Sequence, residues 1–218
     1  MKTPIGIFLI FFLTNFSTYY FPQKYLDIDK KLESIQIKKF SSIEQLHNNI
    51  IMPIYSDEEK VYAIAKFITN NIEYGERAGN PLNCINSREG VCQDYAELFI
   101  ALCKLSNIEN NFITGDGKTS ANDIGFYSSN HAWNIVRVNG KYQIYDLTWA
   151  AGTYDSKTKS FNKQFNEQYF NANPEDFISN HFPDESKWQL LDTPLSKNEY
   201  INSPTFNPEF KNLSFKNG

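Results

Sequence analysis

Hydrophobic residues recur at helical spacing in three segments of the chain. After Ser41-Ser42, apolar positions fall on one face until Met52-Pro53, which predicts a short helix with a serine cap. The sequence Ser56-Asp57-Glu58-Glu59 is a capping box, and the apolar spacing behind it predicts a helix over about 57–72. The segment 91–105 has no helix breaker and is apolar on several sides, so it predicts a central helix.

A β-rich pattern surrounds Asn139-Gly140. The runs 131–138 and 141–149 predict two strands, and the Asn-Gly pair predicts a tight hairpin, because both turn residues must adopt positive φ. Directly opposed residues of a hairpin share a face, as do alternate residues of one strand. His131 and Asp146 are therefore expected on one face, diagonal to each other and within hydrogen-bonding reach. A register shift of one residue would place them on opposite faces.

Other segments are richer in glycine, proline and polar residues. We expect a loop over 73–89, a strand over 111–114, and a polar loop over 115–130 that is either one rim of a site or a plain surface loop. Asn173-Pro174 has the pattern of a helix cap followed by proline at the first helical position. The proline-bearing chain beyond Trp188 is expected to wrap the domain in extended form.

The composition is that of a folded domain with an acidic balance. Of 218 residues, 41% are hydrophobic and 21% are charged. The chain is thus too hydrophobic for a disordered protein and long enough to bury a core. The 21 Lys and Arg against 25 Asp and Glu give a net charge of -4. Because proteins that bind nucleic acid normally present a basic surface, nucleic acid is not an expected partner.

The three cysteines are too few for a disulfide scaffold, and their odd number leaves at least one free thiol. Cys103 lies within the predicted central helix, where a buried cysteine acts as a small hydrophobic residue. Cys84 lies in a predicted loop, as a spare thiol or as a partner of Cys103. Cys92 follows Gly90-Val91 at a helix start, where free backbone N–H groups and the helix dipole lower the pKa of a thiol. Cys92 is therefore the candidate nucleophile.

The predicted hairpin offers partners for that thiol. Asp146 could accept a hydrogen bond from one ring nitrogen of His131 and leave the other nitrogen for Cys92, which would complete a Cys–His–Asp triad. The alternative is an exposed His–Asp pair with no thiol nearby. His47 and His181 are expected to be structural or helix-capping residues. Because the three histidines share no ligand spacing with the cysteines, neither a metal nor another cofactor is predicted.

The amino-terminal segment has the pattern of a signal peptide. Lys2 precedes a run without charge from Ile5 to Leu13, which is too short for a bilayer that needs about 20 apolar residues. We interpret residues 1–18 as a secretory signal peptide, with a buried amino-terminal strand or helix as the alternative. The protein is then expected to be extracytoplasmic, either periplasmic or secreted, without a stable membrane span.

Three ordered motifs resemble the core of the transglutaminase-like superfamily: Gly90-Val-Cys-Gln-Asp-Tyr-Ala96, His131-Ala-Trp-Asn134 and Asp146-Leu-Thr-Trp149. They are most similar to its kyphoscoliosis-peptidase-type branch. The segments 177–184 and 188–191 also resemble the extension of that branch. The resemblance implies an α+β, papain-like fold, in which helices pack on an antiparallel sheet and the nucleophilic cysteine lies at a helix N-terminus.

The same resemblance implies the organisation of the chain and the roles of the triad. A single domain would cover 24–218, with a catalytic core over about 56–152 and a C-terminal extension over about 160–210. Cys92 would be the nucleophile, His131 the general base and then general acid, and Asp146 the residue that orients His131. The thiolate would attack an amide carbonyl and form a thioester, with the backbone N–H of Cys92 as one oxyanion donor.

The expected function is that of an exported cysteine amidohydrolase, in the first place a peptidase, with a protein or peptide as its substrate. The alternatives are acyl transfer to an amine and a binding or scaffold module without turnover. The motif Gly90-Val-Cys-Gln93 departs from the Gly-Gln-Cys-Trp of animal crosslinking transglutaminases, which disfavours calcium-dependent crosslinking. Candidate substrate contacts are Tyr95, Trp133 and Trp149, although the two tryptophans could equally pack in the core. The oligomeric state is left open.

Overall fold

The computed structural model describes residues 23–36, 38–54, 56–118 and 129–203. The predicted signal peptide over 1–18 lies outside these residues, as do most of the predicted loop over 115–130 and the chain after 203. The division of the chain into signal peptide, catalytic core and extension therefore stays a prediction.

The main helices begin where the sequence offers a cap. Ser42 caps α2 (Ile43–Ile51) by accepting a hydrogen bond from the backbone N–H of Gln45, and Ser56 caps α3 (Asp57–Asn71) in the same way through Glu59. The three helices expected from periodicity are confirmed as α2, α3 and α5 (Cys92–Leu105). In chain order the helices are α1 (Gln23–Ser34), α2 (Ile43–Ile51), α3 (Asp57–Asn71), α4 (Pro81–Ser87), α5 (Cys92–Leu105), α6 (Leu147–Ala151), α7 (Pro174–Phe177) and α8 (Lys197–Asn202). None of these described helices combines the length and the apolar character that crossing a bilayer requires.

Two of the helices correct the sequence prediction. The segment 73–89 is not all loop, because α4 forms within it. Asn80 caps α4 by accepting from the backbone N–H of Asn83, and Pro81 occupies the first helical position, a pattern that the sequence already contained. The chain beyond Trp188 is not all extended either, because a capping box at Ser196 begins α8.

A five-stranded antiparallel sheet carries the centre of the fold. Its strand order is β8-β5-β4-β3-β9, which comprises β3 (Asn110–Gly117), β4 (His131–Val138), β5 (Lys141–Tyr145), β8 (Phe170–Ala172) and β9 (His181–Pro183). Two small sheets pair β1 (Glu73–Tyr74) with β2 (Glu89–Gly90), and β6 (Gly152–Asp155) with β7 (Ser160–Lys163). The strand expected over 111–114 is confirmed and is longer than predicted.

The central hairpin has the predicted register. Val138 pairs with Lys141, the pairing runs on to Asn134 with Tyr145, and both residues of the turn have positive φ. The second strand ends at Tyr145 rather than at 149. The reason is that Asp146 accepts hydrogen bonds from the next helical N–H groups and so begins α6.

Both faces of the sheet are covered. On one face, Val136 and Tyr145 belong to the larger hydrophobic cluster with α3 and α5. On the other face, Ile135 and Ile144 pack with Phe177 of the C-terminal segment. Because neighbouring positions of β4 point into these two layers in turn, β4 is buried at every position except Arg137. The side chains at the start of β4 are therefore held between two packed layers.

Candidate active site

Cys92 is the first residue of α5, as predicted. The preceding strand β2 pairs with β1 through Gly90 and Tyr74. Gly90 is required at this position because a Cβ atom would lie 2.8 Å from the Cβ of Asp94. Because Cys92 is the first residue of this helix, its half-buried thiol stands at the positive end of the helix dipole.

Asp94 holds the backbone around the thiol in place. Its fully buried carboxylate accepts hydrogen bonds from the backbone N–H groups of Val91, Ala78 and Gly79, each at 3.0 Å. Ala78 and Gly79 belong to the segment between β1 and α4. Asp94 therefore ties that segment to the start of the helix that carries Cys92.

His131 and Asp146 meet at the open end of the hairpin. His131 Nε2 lies 2.6 Å from Asp146 Oδ2. The carboxylate is fully buried, and the His131 side chain is 8% exposed. The other carboxylate oxygen accepts from the backbone N–H groups of Thr148 at 3.0 Å and Trp149 at 3.1 Å. Strand pairing and helix capping thus combine to aim Asp146 at His131.

His131 also contacts the Cys92 thiol. Because Nε2 is bound to Asp146, Nδ1 is the ring nitrogen available to Cys92, whose sulfur hydrogen-bonds the imidazole and the backbone N–H of Ala132. The structure therefore brings Cys92, His131 and Asp146 together. The alternative of an exposed His–Asp pair remote from any thiol is wrong.

Each of the three groups shifts the pKa of its neighbour toward the charged form. Burial alone would raise the pKa of Cys92, but the hydrogen bond and charge of His131 outweigh it and lower that pKa. Burial alone would lower the pKa of His131, yet Asp146 and Cys92 raise it to about 10. Burial would raise the pKa of Asp146, whereas His131 and His181 hold it well below its usual range. The lowered pKa of Cys92 and the raised pKa of His131 together favour a thiolate–imidazolium pair beside the Asp146 carboxylate.

This ion pair predicts how the reactivity of Cys92 depends on pH. Since the lowered pKa preserves the thiolate on the acid side, we expect Cys92 to react with iodoacetamide at pH values where an ordinary thiol is still protonated. The alkylation rate should fall only as the pH drops below that lowered pKa. Any step that needs the proton of His131 should fail above about pH 10. The measurement is the alkylation rate of Cys92 against pH, with the denatured chain as control. An identical titration in folded and denatured chain would contradict the prediction.

A second histidine, His181, lies beside the site in a strand rather than at a helix end, so the expected capping role is wrong and the expected structural role is not tested. It begins β9, which pairs with β3 at the sheet edge next to His131. His181 Nε2 lies 3.0 Å from Asp146 Oδ2, and both side chains are fully buried. The only signal in the sequence was that the segment 177–184 resembles the extension of a known family branch.

The two histidines and Asp146 also form a cluster with the composition of a metal site. One ligand atom from each of His131, Asp146 and His181 lies within 4.8 Å of the others, so the fold brings together histidines that sequence spacing kept apart. Two ligands of one tetrahedral zinc ion, each about 2.0–2.1 Å from the metal, lie roughly 3.3 Å apart. The observed separations of 2.6 and 3.0 Å from Asp146 Oδ2 are those of hydrogen bonds. We therefore assign the cluster to hydrogen bonding.

Burial separates the three candidate substrate contacts. Tyr95 and Trp133 are each 1% exposed, since the Tyr95 hydroxyl donates to the carbonyl of Ile72 at 2.8 Å and Trp133 packs edge-on against Phe177. Both are core residues in this structure, so it does not support their predicted role as substrate contacts. Trp149 is half-buried with its ring 5.3 Å from that of His131, and its role as a substrate wall stays a prediction.

The other two cysteines are inert by comparison. All three cysteines are free thiols, so the pairing of Cys84 with Cys103 that the sequence left open is absent. Cys84 lies in α4, and Cys103 lies in α5. Burial raises the pKa of each of these two thiols to about 12. Cys92 is therefore the one cysteine in a reactive setting.

Comparison with protein families identifies a domain within the chain. Residues 44–147 match the model of the transglutaminase-like superfamily core, which includes Cys92 and His131 and ends just after Asp146. The match thus contains all three residues that the structure brings together.

Several individual proteins are similar to this chain. The chain is 31% identical over 196 residues to mouse kyphoscoliosis peptidase, covering 85% of this chain and 29% of the relative. It is 24% identical to hillarin of Drosophila melanogaster, over 88% of this chain and 26% of that protein. A crystal structure of a candidate cysteine protease from Cytophaga hutchinsonii is 28% identical, with a TM-score of 0.41, over 56% of this chain and 42% of that one. The chain spans less than a third of the length of these two curated relatives.

Proposed function

The chain belongs to the transglutaminase-like superfamily, in the branch that includes kyphoscoliosis peptidase, and from this premise we propose that it is a cysteine amidohydrolase that cleaves peptides. The observation that carries the proposal is the continuous set of contacts from Cys92 through His131 to Asp146. A thiolate at a helix N-terminus, paired with an imidazolium that a buried carboxylate orients, is the arrangement that acyl transfer through sulfur requires.

The reaction would begin with attack of the Cys92 thiolate on the carbonyl carbon of an amide. The sulfur–carbon bond forms, and the carbonyl oxygen takes the electron pair as an oxyanion, which the backbone N–H of Cys92 stabilises. The carbon–nitrogen bond then breaks as His131 gives its proton to the departing amine, and a thioester remains. Water attacks the thioester while His131 takes a proton from it. The sulfur–carbon bond breaks, and the thiolate is restored.

The acceptor of the acyl group decides between hydrolysis and transfer. We propose water as the acceptor and a protein or peptide as the substrate. Half-buried Trp149 beside His131 would be one wall of the binding site. Acyl transfer to an amine, or binding without turnover, would use the same groups and would appear as different outcomes of one experiment.

A peptide-library digest in the presence of a labelled primary amine tests the proposal. We expect new peptide amino termini and free carboxylates without incorporation of the label, because water is the proposed acceptor. Incorporation of the amine would identify a transferase instead. Neither product, from a preparation in which Cys92 is fully titratable with iodoacetamide, would favour the binding module and overturn the proposal.

We also propose, on the sequence alone, that residues 1–18 direct the protein out of the cytoplasm. Lys2 and the uncharged run from Ile5 to Leu13 support this proposal. Expression of the chain with and without residues 1–18, followed by cell fractionation, tests it. The full chain should reach an extracytoplasmic fraction and the shortened chain should not, so the same distribution for both chains would contradict export.

A further inference from the structure

His181 is a buried histidine that the proposed triad does not use. We propose that His181 is a positioning residue, which donates a hydrogen bond to Asp146 Oδ2 and thereby holds the carboxylate where His131 needs it. This inference rests on the proposed function, because it assigns His181 to the same reaction. It extends the triad to a chain of four groups, Cys92, His131, Asp146 and His181.

The contacts of Asp146 show what His181 adds. The fully buried carboxylate receives two backbone N–H groups on Oδ1 and two imidazoles on Oδ2, at 2.6 Å from His131 and 3.0 Å from His181. A buried carboxylate is stable in its charged form only while donors replace the lost water. If His181 were lost, Oδ2 would keep a single donor. The side chain would have to rotate or admit water, and either change moves Oδ2 relative to His131.

The ring of His181 is itself rigidly held. It stacks on Phe177 with ring centroids 3.9 Å apart and an angle of 15° between the rings, and Trp149 packs edge-on against it at 4.4 Å. Asn180 Oδ1 lies 2.6 Å from Nδ1, and the NH₂ group of the same amide lies 2.9 Å from the hydroxyl of Tyr169. A donor fixed from several sides can define the position of the group to which it donates.

The protonation state of His181 fits a donor role toward Asp146. Burial lowers the pKa of His181 to about 4, so the ring is neutral at neutral pH and carries one N–H. Placing that proton on Nε2 satisfies Asp146. Nδ1 must then accept, which requires the Asn180 amide to turn its NH₂ group toward Nδ1 and its oxygen toward the Tyr169 hydroxyl. The two ends of an amide have nearly the same shape, so this orientation costs no space.

Two tyrosines also lie near this chain of contacts. The backbone carbonyl of Tyr169 accepts from the N–H of Asp146 at 2.9 Å, and its hydroxyl contacts Asn180 beside His181. Burial raises the pKa of Tyr169 to about 12 and raises that of Tyr95 as well, so both stay neutral at the pH values that matter. The two histidines are therefore the groups that lower the pKa of Asp146 and keep its carboxylate charged.

Two variants of His181 separate a donor from a packing residue. His181→Phe keeps an aromatic ring to stack on Phe177 but removes the donor, whereas His181→Gln keeps an N–H donor and loses the stacked ring. We expect the phenylalanine variant to lose about tenfold in kcat/KM, because it lacks one hydrogen bond to a charged group. The glutamine variant should recover part of that loss, because it keeps a donor. His47→Phe is the matched control, since His47 is also buried but hydrogen-bonds Ser106, outside the site.

Alkylation of Cys92 against pH gives a readout that needs no substrate. In the phenylalanine variant, the pH below which the alkylation rate falls should rise by about one unit. The reason is that a less firmly held imidazolium stabilises the thiolate less. If His181 only packs, the phenylalanine variant should keep the parent kcat/KM and alkylation profile while the glutamine variant loses them. That result would overturn the proposal. Unchanged profiles in both variants would also overturn it. If every variant alkylates as expected but no peptide is cleaved, the proposed function fails and the positioning role stands.

Discussion

Replacement of Cys92 with alanine is expected to lower kcat/KM by roughly 10⁴-fold or more. The sulfur is the atom that bonds to the substrate in the proposed reaction, and the structure offers no second thiol in its place. Burial raises the pKa of Cys84 and of Cys103 to about 12, so neither supplies a thiolate. The residual rate would come from binding and from the oxyanion donor alone.

The Cys92 experiment has a matched control in the same helix. Cys103→Ala removes a buried thiol of α5 whose hydrogen-bond partner is Asn110, so the kcat/KM of this variant per folded molecule should stay close to that of the parent. Mass spectrometry after brief iodoacetamide treatment should find the label on Cys92. Peptide cleavage that persists in Cys92→Ala would place the reaction elsewhere in the protein and end the triad hypothesis.

Asp146→Asn is expected to reduce kcat/KM by roughly 10³- to 10⁴-fold while the fold survives. Asparagine keeps an oxygen for the backbone N–H groups of Thr148 and Trp149, so the cap of α6 remains. The negative charge that raises the pKa of His131 disappears. The new NH₂ group also favours the tautomer of His131 that points a proton, rather than a lone pair, at Cys92.

The consequence for Cys92 can be measured directly. Without an imidazolium partner, burial is the dominant influence on the thiol, so its pKa should rise and alkylation at neutral pH should slow. Asp155→Asn is the control, because Asp155 also accepts backbone N–H groups, at 2.8 Å from Lys157 and 3.3 Å from Thr158, but is exposed and outside the site. A variant at Asp146 with full activity and an unshifted Cys92 titration would show that the carboxylate has no part in the reaction.

Several features of the fold could be predicted because their causes are local. Ser42 and Ser56 each satisfy a backbone N–H three residues later, so the helix starts are encoded within one turn. The Asn139-Gly140 turn sets the register of the hairpin, which places His131 and Asp146 on the same face. The α+β, transglutaminase-like class is likewise confirmed, since the family match covers residues 44–147 and helices pack on the antiparallel sheet.

The errors arose where two local signals competed or where distant segments met. At Asn80-Pro81 the glycines nearby suggested loop, but the capping side chain and the proline begin α4. At Asp146 the alternation suggested a longer strand. The carboxylate instead accepts hydrogen bonds from the backbone N–H groups of Thr148 and Trp149, which begins α6 and ends the strand. The burial of Tyr95 and Trp133 also depends on how distant segments pack, so the sequence left open whether Trp133 lines a cleft or packs in the core.

The sequence by itself determined the position of the candidate nucleophile Cys92 at a helix start and the pairing of His131 with Asp146. Each of these features depends on hydrogen bonds or alternation within a short stretch of chain. Only the tertiary structure decided that His181 reaches the same carboxylate and that Cys92 meets His131. Those contacts join segments far apart in the chain, and their geometry depends on how β9 adds to the sheet edge and how α5 packs on the sheet face. The pKa values follow from the same assembly, since burial and the nearness of opposite charges exist only once the layers have packed.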